Sequence, residues 1–121
     1  MSSNDFPKAN RLLNKQDFDR VYRHGRLLDT DNYKFYLLKK REERPRLGIV
    51  TTKRLGNAVE RNRIKRCIRE IFRKNKERFS HLDVIVKPKS ETVFMSNLKL
   101  KENFLNNFPA VHRGGINGKD N

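Results

Sequence analysis

The sequence predicts a single α+β domain, one small sheet with helices packed on it in the order α-β-β-α-β-α. Three observations predict it. Apolar residues recur at helical spacing in a short early stretch and in a long central one, and again, more loosely, over 95–108. The runs 33–40, 46–53 and 81–89 have the short, alternating or continuously apolar character of strands, each bounded by turn residues. The 121 residues suffice for one domain with a modest core, and no internal repeat divides them. Residues 1–9 and 109–121, polar or glycine-rich without periodicity, are expected to be disordered, leaving a folded domain over 10–108.

The first helix starts at Asn14, a good N-cap, with Asp17 three residues on. Leu13 and Phe18 are placed to form a hydrophobic staple. Phe18, Val21 and Tyr22 share one face. Gly25 stands where a left-handed C-cap is expected, with His24 suiting the helix dipole. From the residues alone Phe18 and Tyr22 read first as ordinary core, with partly exposed base stacking as the alternative. Leu27 and Leu28 open an extended region. In the strand at 33–40, Tyr33, Phe35 and Leu37 point one way. Lys34, Tyr36 and Leu38 point the other, giving a face suited to phosphate and base. A charged turn broken by Pro45 leads to the strand at 46–53, expected to pair with the previous one as an antiparallel hairpin. The strand–helix–strand order that follows implies a crossover and allows a parallel pair. The last helix is expected to turn Leu98, Phe104, Leu105 and Phe108 toward the sheet.

The central stretch, 53–78, reads as a long amphipathic helix. Gly56 breaks the segment before it, Asn57 caps it, and Glu60 completes a capping box. Ile64, Cys67, Ile68 and Ile71 form the buried stripe with Phe72 at its edge, which makes Cys67 an expected buried structural thiol. At about 100° per residue, Asn62, Arg66, Arg69 and Arg73 cluster on the opposite side, flanked by Arg63 and Lys65, while Arg61 lies nearer the apolar edge. Few acids stand at i±4 to neutralise these cations. Like charges on one rod repel, so a polyanion partner explains them better than a merely solvated face. Lys53 and Arg54 precede the helix, where cations oppose its dipole and again suit an outside anion.

The whole chain carries a formal net charge of +15, which calls for RNA, DNA or an acidic membrane as counter-polyanion. No apolar run is long enough to span a bilayer, and the isoleucine stripe needs a sheet to cover it, so no membrane partner is expected. The N-terminus lacks an apolar signal core, so a cytoplasmic protein is expected. His24, His81 and His112 lack metal-ligand spacing, Asp17 and Asp19 lie on different faces of a short helix, and KRLGN is no phosphate loop. These patterns favour binding without protein-borne catalysis or a dedicated metal site.

RNRIKRCIRE (61–70) resembles the RNR signature of the bacterial ribonuclease P protein family. KRLGNAVERNR is similar to that family's K-[KR]-x-G-N-A-V-x-R-N-R run. RLLNKQDFDRVYRHGR is similar to its L-x-x-x-x-[DE]-F-x-x-V-[FY]-x-x-G pattern. The resemblance covers about 11–88. It implies an α/β sandwich of the type found in some ribosomal proteins, with a left-handed β-α-β crossover where pattern reading alone expects a right-handed one. It implies an accessory subunit, expected at one protein per RNA, of a ribonucleoprotein that removes the 5′ leader of precursor tRNA. The catalyst is then the RNA subunit with Mg²⁺. By matching position it implies that Arg61, Asn62, Arg63, Lys65, Arg66 and Arg69 bind RNA, that Lys53, Arg54 and Asn57 lie at the RNA interface near substrate, and that Phe18, Tyr22 and Tyr36 line a cleft for the leader. Arg73 joins the first set through its place on the cationic face. Lys34 stands in that cleft where a family member carries an apolar residue. The alternative is a general RNA-binding or ribosome-associated protein of the same fold, which has no need of an aromatic cleft.

Overall fold

The computed structural model describes residues 7–108; the expectations for 1–6, for 109–121 and for His112 lie outside the described residues. The elements are α1 (Lys15–His24), β1 (Arg26–Asp29), β2 (Tyr33–Lys39), β3 (Arg46–Ile49), α2 (Ala58–Lys74), β4 (Leu82–Pro88) and α3 (Asn97–Asn107). Leu27 and Leu28 therefore belong to a strand of their own, and the observed order is α-β-β-β-α-β-α.

The sheet runs β1-β2-β4-β3. β4 lies antiparallel to β2 and parallel to β3. The antiparallel hairpin expected between the second and third strands is thus absent. The crossover through α2 inserts β4 between them, because β4 is apolar enough to be buried on both faces: Leu82 to Val86 are all buried. On one face, Tyr33, Phe35, Leu37, Leu47, Val84 and Val86 pack against α2 and α3. On the other, Leu12, Val21 and Ile85 form a smaller cluster beneath α1.

Asn14 caps α1 as expected, its side chain accepting from the Asp17 amide at 2.8 Å. Two details at the ends of α1 differ. Gly25 is extended (φ −81°, ψ 170°) rather than left-handed. It is glycine because a Cβ there would lie 2.4 Å from the Val21 carbonyl oxygen and 3.0 Å from that of Leu37. Leu13 stands mostly in solvent, while Leu12 is buried.

Asn57 caps α2 by accepting from the Glu60 amide at 2.9 Å. Gly56 has φ 141°, a conformation only glycine adopts without strain. The helix ends at Lys74 rather than running on to Arg78. Asn75 leaves helical geometry, its side-chain amide donating through Nδ2 to the Ile71 carbonyl at 2.8 Å, and a 3₁₀ turn (Lys76–Phe79) follows. This turn puts Phe79 against Phe72, ring centroids 4.6 Å apart and nearly parallel. In α3 the buried residues are Leu100, Phe104 and, just beyond, Phe108; Leu98 is 65% exposed instead of facing the sheet. Ser96 caps the helix, and the stripe starting four residues later, at Leu100, is the one that meets the core.

Candidate nucleic-acid interface

The α1 face of the sheet carries the first candidate surface. Alternation along β2 turns Lys34, Tyr36 and Leu38 to this face, and the pairing register sets them opposite Lys87, Ile85 and Asp83 of β4. β3 adds Arg46 and Gly48, which pair with Asp83 and Ile85. Charge changes along this face. At one end Asp83 is buried. It accepts from Arg46 Nε at 3.0 Å and Nη2 at 2.8 Å, and Lys40 Nζ stands 2.8 Å away. Arg46 also donates to Asp17 of α1 at 3.2 Å, so this network anchors the helix to the sheet. Burial alone would raise the Asp83 pKa; the bonds from Arg46 and Lys40 outweigh it and hold the carboxyl below its ordinary value.

From that anchor, α1 sets Phe18 over Gly48, where an added Cβ would come within 2.6 Å of the ring. Tyr22 meets Tyr36 edge to face at 4.8 Å. Phe18, Tyr22 and Tyr36 are all half-buried, so they are neither sealed core nor free surface. The ammonium of Lys87 lies 4.9 Å from the Tyr22 centroid and 5.4 Å from that of Tyr36. Lys87 and Lys34 are direct cross-strand partners, a like-charge pair that costs stability. The nearby Asp29 is taken by Lys89 at 2.6 Å. The result is a cleft with aromatic walls and two facing lysines, of which Lys34 also lies opposite Asp29 of β1, a carboxylate already bonded to Lys89. Lys87 was missed from sequence because its neighbours come from strands whose pairing was misassigned.

At the same end of the sheet the chain leaves β3. The Val50 amide donates to Val86 and the chain enters a 3₁₀ turn (Lys53–Leu55). Leu55 anchors that turn in the core, and Lys53 and Arg54 are exposed. The helix they introduce carries the second surface. Ile64, Ile68, Ile71 and Phe72 are buried, while Asn62, Arg66 and Arg69 are exposed on the far side. Among the described residues no carboxylate forms a salt bridge with Lys53, Arg54, Lys65, Arg66 or Arg69. Desolvation, then the like charges of Arg11 and Arg66, push the Arg69 guanidinium below its ordinary pKa.

Other expected site residues are engaged within the chain. Arg63 donates through Nε to Glu60 at 3.3 Å, through Nη1 to Asn97 at 2.8 Å and through Nη2 to the Val93 carbonyl at 3.1 Å. It braces α2 against α3. Arg61 donates to the Gly56 carbonyl at 2.6 Å, and Arg73 is bound to Glu70 at 2.6 Å. Cys67 is half-buried rather than sealed, its sulfur 3.7 Å from the Asn97 carbonyl oxygen. Its pKa is raised, chiefly by burial.

No helix among the described residues is long and apolar enough to cross a membrane. A helix with exposed arginines that no carboxylate among the described residues pairs and a lysine-lined aromatic cleft, on one small mixed sheet, define a basic nucleic-acid-binding domain. Comparison with known proteins makes this specific. The family model described as Ribonuclease P matches residues 6–111. The ribonuclease P protein component of Desulforapulum autotrophicum is 35% identical over 114 residues, covering 93% of this chain and 97% of that protein. The ribonuclease P protein of Staphylococcus aureus superposes with TM-score 0.78 at 31% identity, over 90% of this chain and 98% of the other. That of Thermotoga maritima gives 0.73 at 30% identity, over 81% and 94%. The chain belongs to the ribonuclease P protein family: it is the protein subunit of the ribonuclease P holoenzyme and partners the ribonuclease P RNA.

Proposed function

We propose that the cleft of Phe18, Tyr22, Tyr36, Lys34 and Lys87 holds the single-stranded 5′ leader of precursor tRNA. In this reading the exposed side of α2, with Lys53 and Arg54 at its start, docks on the catalytic RNA. The observation that carries it is the position of Lys87 over both tyrosine rings with Lys34 opposite. Aromatic faces beside unpaired cations hold a single strand through stacking and phosphate contacts, without strict sequence demand. Leader binding then favours precursor over mature tRNA, which lacks that segment, and broadens the range of precursors processed. The protein contributes position and electrostatics; bond cleavage is assigned to the RNA subunit and its Mg²⁺. We also assign one protein to each RNA and a cytoplasmic site of action.

The test is reconstitution with the catalytic RNA and measurement of precursor and mature tRNA binding. Tyr36→Ala and Phe18→Ala are expected to weaken precursor binding and leave mature tRNA binding unchanged. Equal losses on both would reject the leader cleft.

A further inference from the structure

The reading above leaves unused a groove between α2 and α3, with a cavity volume of about 400 Å³. Its apolar wall is Cys67, Ile71 and Leu98. Leu98 is exposed on a helix whose Leu100 and Phe104 are fully buried and whose Leu105 is partly buried. Around this wall stand Arg63, Arg66, Lys74 and Lys101 against a single acid, Glu70. Glu70 is already held by Arg73 and Lys74. Among the described residues, Arg66 and Lys101 have no salt bridge.

An apolar wall with a cationic rim fits a flat apolar group that carries negative charge a few ångströms away. That is the chemistry of a nucleotide. We propose that this groove takes one unstacked nucleotide of the ribonuclease P RNA, its base against Leu98 and Ile71 and its phosphate on Arg66 and Lys101. An acidic peptide would also suit the rim, but continuity favours RNA. Arg66 belongs both to the groove and to the exposed side of α2, so RNA docked on that side reaches the groove without a break. Unpaired, splayed bases are the part of a folded RNA that proteins read with such pockets. The proposal rests on α2 docking to RNA, and its test separates the two.

Cys67, the sole cysteine of the chain, reports on the groove directly. Its alkylation by N-ethylmaleimide is followed for the free protein and for the complex with the RNA subunit. RNA affinity is measured beside it for Leu98→Glu, Leu98→Met and Arg69→Ala, each checked for folding by circular dichroism. The expected result is at least tenfold slower alkylation in the complex. Leu98→Glu should bind RNA about tenfold more weakly and Leu98→Met should bind normally. If Arg69→Ala weakens RNA binding while Leu98→Glu does not, or if Cys67 stays equally reactive in the complex, the groove proposal is overturned and α2 docking stands. If neither Arg69→Ala nor Leu98→Glu matters, α2 docking fails and the proposal fails with it. Shielding of Cys67 in concentrated protein without RNA would assign the groove to a second copy of this chain, and would also overturn it.

Discussion

Replacing Lys87 by methionine tests the cleft with a number. The methionine keeps an unbranched stem over Tyr22 and Tyr36 and removes the charge. Within the free protein two effects oppose each other. Two cation–π contacts at 4.9 and 5.4 Å are lost, about 0.5–1 kcal/mol each at exposed sites. The repulsion from Lys34, about 0.2–1 kcal/mol for a cross-strand like-charge pair, is relieved. The balance is a net loss of about 1 kcal/mol, so thermal stability should fall modestly. Leader binding should change in a defined way. A single-strand phosphate neutralised by one lysine contributes about 0.7 to the slope of log K against log salt. Between 50 and 200 mM salt, the original holoenzyme should therefore lose about 2.5-fold more precursor affinity than the Lys87→Met holoenzyme. Equilibrium binding of precursor and mature tRNA across that salt range reads this directly. An unchanged slope, or the same change with mature tRNA, would refute a phosphate contact at Lys87.

Asp83→Asn leaves Arg46 and Lys40 facing a neutral amide in a buried site, and should cost about 3 kcal/mol in urea unfolding. Because the folded carboxyl has a lowered pKa, its contribution is fully present above the ordinary value near 3.8. It is lost as pH falls below that, so acid unfolding should be shallower in the variant. Gly48→Ala displaces the Phe18 ring and should cost about 1 kcal/mol of stability. It should lower precursor affinity about fivefold or more, and adding Phe18→Ala in the same chain should lower it little further. Gly25→Ala drives a Cβ into the Val21 carbonyl, a backbone group that cannot swing aside, so a loss of about 2 kcal/mol is expected in the same unfolding measurement.

What the sequence made legible was local. Asn14 and Asn57 cap helices because their side chains reach an amide three residues on, a contact written in four consecutive residues. The isoleucine stripe of α2 and the alternation of β2 are likewise properties of short windows. Failures began where distance along the chain entered. β2 and β3 are neighbours in sequence and read as a hairpin, yet β4, arriving after α2, is apolar enough on both sides to take the middle of the sheet. Lys87 was invisible as a cleft residue for the same reason. Arg63 counted as one more ridge cation until Val93 and Asn97, some thirty residues away, used its donors. In α3, with two overlapping apolar stripes, only the packed structure tells Leu98 from Leu100.

The placement of the acids argues for the functional reading more strongly than the net charge does. Asp83 and Asp17 lie where they anchor α1; Glu60 and Glu70 hold Arg63 and Arg73. Asp83, Asp17 and Glu60 each hold an arginine that ties two elements together, while the Glu70–Arg73 pair lies within α2. None of these four forms a salt bridge with Lys34, Lys87, Lys53, Arg54, Arg66 or Arg69. A chain under selection for stability alone would relieve the Lys34–Lys87 opposition with one glutamate on either strand, a change that asks nothing of the core. It would also set an acid four residues from Arg69 on the open side of α2, where Lys65 and Arg73 stand instead. The cations left without such partners follow one path, from the cleft past the end of β3 and onto α2. Repulsion along that path is a standing cost in the free protein, and a polynucleotide laid along it converts the same charges into binding energy.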